Sequence, residues 1–166
     1  MNKKRNLTLA ILIAALVIGL LVWRLTPRSL ESLTGLDFDG AVDLMAHART
    51  TDYESGTPIF VSYKIDREDA CLGTEHFEPM LELFRDIEAR PSLSNLFRPW
   101  LISGFSWTGP VDFLTCGVSR GDLGTMFELT DRGELMVGRH LYYITDDDQF
   151  EALWDYVTTH GAENRS

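Results

Sequence analysis

Seventeen consecutive residues, Leu7 to Trp23, carry no charge and a single polar side chain, Thr8. Lys3, Lys4 and Arg5 precede this run and Arg24 closes it. A helix rising 1.5 Å per residue covers about 26 Å over that length, close to the shortest that crosses a hydrocarbon core. The run therefore predicts one transmembrane helix at residues 7–25, behind a basic N-terminus at residues 1–6. Basic flanks stay on the cytoplasmic side, so the rest of the chain is expected outside the cytoplasm. A cleaved secretory leader is the competing reading. It wants small residues after the apolar core, whereas this run ends Leu21, Val22, Trp23, Arg24. On this reading the protein is a single-pass protein of the inner (cytoplasmic) membrane with an extracytoplasmic, periplasmic body.

That body is acidic. All twenty-five Asp and Glu fall beyond the run and only three of the fifteen Lys and Arg precede it, leaving about thirteen net negative charges on the remainder. Such a surface disfavours nucleic acid and anionic lipid as partners. Residues 26–36, with Pro27, Ser29, Ser32, Thr34 and Gly35, read as a linker. Residues 37–160 have the length and aromatic content of one globular domain, and residues 161–166 read as a tail.

Within the domain, Asp37 is placed to cap a helix carrying Phe38, Ala41, Val42 and Met45, and Thr50 to Gly56 reads as a polar turn. Pro58 to Ile65 has the β-formers of a strand. Glu75 to Arg90 shows the best helical spacing, with Phe77, Met80, Leu81, Phe84 and Ile87 on one face and Pro91 as the stop. Trp100 to Trp107 is apolar and extended in character, and Val111 to Cys116 fits either a strand or a helical turn. Thr125 to Leu129 and Glu134 to Ile144 flank Asp131-Arg132-Gly133, a hairpin turn with Gly where φ must be positive. Asp146 to His160 reads as a closing helix with Phe150, Leu153, Trp154 and Val157 buried, and Thr145 with Asp148 has the spacing of a capping box.

This order of elements, with Cys71-Leu72-Gly73-Thr74 before a helix and Pro79 eight residues after Cys71, resembles the thioredoxin fold family. Thr74 stands where that family has its second Cys, and Gly124 where it has a cis-Pro. The resemblance implies an α/β domain, a three-layer mixed sheet with helices on both faces. It also implies two roles. The first is an interaction or accessory module for a protein partner in a cell-envelope complex. The second is a thiol-disulfide oxidoreductase in which Cys71 attacks, Cys116 resolves and Thr74 hydrogen-bonds the thiolate. Both catalytic hallmarks are altered, which favours the first.

The two cysteines admit three states: a structural bridge, two inert thiols, or a working redox pair. His76 beside Glu75 and Glu78, five residues after Cys71, lacks a second ligand pair at metal-site spacing, so no metal is expected and no cofactor motif is present. Trp100, Phe105 and Trp107 form either a core strand or an exposed recognition ridge.

Overall fold

A computed structural model of the chain describes residues 2–54, 57–92 and 111–165. It begins with helix α1 (Asn2–Leu25) and the short pieces β1 (Arg28–Ser29) and α2 (Leu30–Thr34). A 3₁₀ turn at Phe38–Gly40 leads into the long strands β2 (Asp43–Glu54) and β3 (Thr57–Ile65). Helix α3 (Phe77–Arg85) and β4 (Glu88–Pro91) follow. The second half holds β5 (Phe113–Arg120), β6 (Leu123–Thr130), β7 (Glu134–Val137), β8 (His140–Ile144), α4 (Asp148–His160) and β9 (Ala162–Arg165).

The nine strands form one sheet in the order β1-β4-β8-β7-β6-β5-β2-β3-β9, and every pairing in it is antiparallel. This replaces the thioredoxin-like three-layer mixed sheet. The physical reason lies in β2. Leu44, Ala46 and Ala48 are fully buried while Met45, His47 and Arg49 alternate outward, a two-residue period along a strand. Asp37 does accept a hydrogen bond, from the Asp39 amide, but it caps only the 3₁₀ turn. The polar stretch Thr50 to Glu54 continues β2 and pairs across to Thr57–Val61, so most of the expected turn is strand. With hairpins β2–β3 and β5–β6 locked side by side, no parallel crossover remains among the described strands.

One face of the sheet carries α3 and α4. Phe77, Met80, Leu81 and Phe84 from α3, with Phe150, Leu153 and Val157 from α4, pack on Leu44, Ala46, Leu114, Cys116, Phe127 and Leu129. Phe84 meets Phe127 edge to face with centroids 5.1 Å apart. Helix α3 is shorter than its periodicity suggests, because the chain leaves the helix as β4, whose Ala89, Arg90 and Pro91 pair with β8. The buried stripe of α4 is the expected one, with Trp154 partly buried. Its start is different: Thr145 donates to the Glu88 carbonyl, and the Asp148 amide donates to Asp146 Oδ1, so no Thr145–Asp148 capping box forms.

The hairpin between β6 and β7 turns at Gly133 with φ 71°, as its sequence requires. Glu134 to Ile144 is two strands rather than one, because Gly138 at φ 61° reverses the chain between β7 and β8. Trp100, Phe105 and Trp107, and the expectation of a strand there, lie outside the described residues.

The anchor reading is also corrected. Helix α1 is 24 residues long and its described apolar side chains, Leu9 to Val22, are exposed. Among the described residues, however, no helix is long and apolar enough to cross a membrane. The single-pass membrane location and the periplasmic placement of the body, which rested on residues 7–25, are therefore withdrawn.

Candidate functional site

The cysteines are positioned by β2. Cys116 sits opposite Ala46 on β5, fully buried under the helices, and burial pushes its thiol pKa far above the ordinary range. Cys71 lies in the loop before α3 and forms an isolated bridge with Asp43. Asp43 pairs with Ser119 of β5 on its other side, so Cys71 and Cys116 flank β2 on opposite sides. They are also three positions apart along the strand, about 10 Å at the β rise. Both thiols are free, and a disulfide needs Cα atoms within about 7 Å.

Thr74 does not face a thiolate. Its hydroxyl donates to the Cys71 carbonyl at 2.8 Å, while the Cys71 thiol donates to the Glu68 carbonyl at 3.6 Å. The helix cap is His76, five residues beyond Cys71, so the Cys71 sulfur is not at a helix start. Pro79 falls in the first turn of α3, where its missing N–H has no helical partner to lose. Gly124 pairs with Ser119 in the β5–β6 hairpin, and the described chain contains no cis peptide. The structure thus separates Cys71, Thr74 and Cys116 rather than assembling them.

His76 takes part in a different cluster. Its Nδ1 lies 3.0 Å from the Tyr156 hydroxyl, its Nε2 lies 3.5 Å from Glu75, and the His160 ring stacks on Tyr156. Among the described residues no group of three or more His, Cys, Asp or Glu is arranged to hold a metal ion.

The feature that sequence reasoning missed is on the opposite face of the sheet, which carries no described helix between β3, β2 and β5. A groove of about 820 Å³ runs there, lined among others by His47 and Arg49 of β2, Phe60 and Lys64 of β3, Phe113 of β5 and Asn164 of β9. Register places these side chains together: His47 is opposite Lys64, and Arg49 lies between Ser62 and Phe113. Phe60 is 62% exposed. On the same face, Met136 and Leu141 toward β7 and β8 are buried, whereas Met126 on β6 is exposed.

The groove is basic in an acidic protein. The Arg49 guanidinium lies 5.7 Å from the Phe113 ring centroid and 3.4 Å from the His47 ring nitrogens, with no carboxylate in salt-bridge reach among the described residues. Lys64 pairs with Asp66 at 2.7 Å. Burial first, then the charges of Arg49 and Lys64, hold the His47 pKa below its ordinary value, against an opposing pull from Asp66. The signal that could have found this site is the alternation of Met45, His47, Arg49 and Thr51 with small apolar residues, which only a strand places on one surface.

No family model matches this chain, and neither the curated proteins nor the solved structures include one similar to it.

Proposed function

We propose that the chain is a non-catalytic binding module and that the face formed by β2, β3 and β5 holds a protein partner. The observation that carries this reading is the open groove of about 820 Å³ beside an exposed Phe60 and an Arg49 that, among the described residues, has no carboxylate in salt-bridge reach. An exposed aromatic next to an arginine has the composition of interface hot spots. The separation of Cys71 from Cys116 across β2, with Cys116 inaccessible, supports binding over thiol exchange.

The test begins with a photo-crosslinking residue at position 60 in cells, followed by identification and purification of whatever it captures. Binding of the purified partner is then measured for the wild type, Phe60→Glu and Leu123→Glu, the last being exposed at the β5–β6 hairpin away from the groove. Burying a phenylalanine contributes about 1.5–3 kcal/mol, so Phe60→Glu should weaken binding by tenfold or more, while Leu123→Glu should not. Equal binding by all three proteins would overturn the reading.

A further inference from the structure

Resting on that binding reading, we propose that the groove selects a partner segment that is acidic and carries an aromatic or large aliphatic side chain beside its carboxylates. The argument is charge complementarity on one face. Arg49, His47 and Lys64 converge from adjacent strands, with Arg49 Nε and Nη2 3.4 Å from the His47 ring nitrogens and its guanidinium carbon 5.7 Å from the Phe113 ring centroid. A guanidinium fork matches a carboxylate bidentately, and the Arg49 Nη1 is not among the donors in contact with His47. Lys64 is shared with Asp66, which makes Arg49 the principal anion-binding group.

Phe60, Phe113 and Val111 line the same groove and provide apolar wall that a lone carboxylate would leave uncovered. The volume suits a few side chains of a bound segment rather than a single small anion. The rest of the protein sharpens the selection. With a net charge of −10, the surface as a whole disfavours an acidic chain, so holding one calls for a local basic cluster such as Arg49 and Lys64 beside His47.

The experiment uses the full chain and short synthetic peptides: one with Phe flanked by Asp and Glu, a second with those acids replaced by Asn and Gln, and free glutamate as a carboxylate without apolar contact. Binding is followed by calorimetry and by the NMR signals of the His47 ring. The acidic peptide should bind at least about tenfold more tightly than its amide counterpart and than glutamate, and Arg49→Gln should erase most of that difference. Binding should weaken as salt is raised, because surface charges are screened within about 10 Å at 0.1 M.

The His47 titration midpoint should rise on binding, since a carboxylate offsets the Arg49 and Lys64 charges facing it. Asp66, and Glu128 two strands away on β6, are present in both free and bound states and do not change this direction.

Equal affinity for the acidic and amide peptides, or a concentration-dependent mass showing that a second copy fills the groove, would overturn the inference. If the acidic peptide fails while the partner captured at position 60 still binds there, only the acidic specificity falls. If neither binds, the binding reading falls with it.

Discussion

At the scale of single residues, the two cysteines are the sharpest contrast. Cys116 has no exposed surface, whereas Cys71 is partly exposed in a loop. A thiol reagent should therefore modify one cysteine in the native protein and two after denaturation, and Cys71→Ser should abolish the native reaction. Equal native reactivity of both thiols would contradict the packing. Cys116 also sets a pH limit. The unfolded thiol starts to ionise near pH 8.5, whereas the folded thiol keeps its proton because burial raises its pKa. Its contribution to stability is complete below that pH and is lost as pH rises, by up to about 1.4 kcal/mol per pH unit. Urea unfolding of the wild type should weaken above about pH 9, and Cys116→Ala should remove that extra slope. The presence of two thiols was legible from the sequence. Their separation was not, because it depends on which sides of β2 the two segments pair with.

At the scale of elements, Pro79 shows how a correct residue pattern supports a wrong inference. Its place in an apparently long helix suggests a kink and matches the spacing of the thioredoxin family. The helix in fact begins at Phe77, so Pro79 occupies a turn with unpartnered amides. Pro79→Ala should change stability by less than about 1 kcal/mol, whereas Glu82→Pro, in the second turn, should cost about 3 kcal/mol. Comparing the two denaturation midpoints checks this, and similar losses for both would place Pro79 in the helix interior. The apolar stripes of α3 and α4 were readable because helical spacing repeats over several turns. Strand β2 was not, because Ala46 and Ala48 are weak β-formers and Thr50 to Glu54 has the composition of a turn. What makes β2 a strand is its pairing with β3 on one side and β5 on the other.

At the scale of the whole molecule, the seam between the helical layer and the far edge of the sheet runs through Gly161. The chain leaves α4 there, and its amide donates to the Val157 carbonyl before β9 pairs with β3. A Cβ at this position would lie 2.5 Å from the Val157 oxygen and 2.9 Å from the Lys64 backbone nitrogen, neither of which can rotate away. Gly161→Ala should therefore destabilise by about 1–3 kcal/mol and raise amide exchange at Val61 to Lys64, the residues that β9 covers. Unchanged exchange at those amides would mean that β9 is not held through Gly161. The same strand brings Asn164 to the groove, so loosening it should also weaken any ligand bound there.

The apolar N-terminal helix, the acidic balance, the turn at Gly133 and the buried faces of α3 and α4 are all written in local residue patterns. These depend on neighbours within a few residues, through helical periodicity or the positive φ that glycine permits. Long-range packing, by contrast, sets the antiparallel pairing of the described strands, keeps Cys71 and Cys116 apart, and brings His47, Arg49, Lys64 and Phe60 to one groove. Each of those outcomes rests on strand register between distant segments, where a shift of one residue turns every side chain to the opposite face.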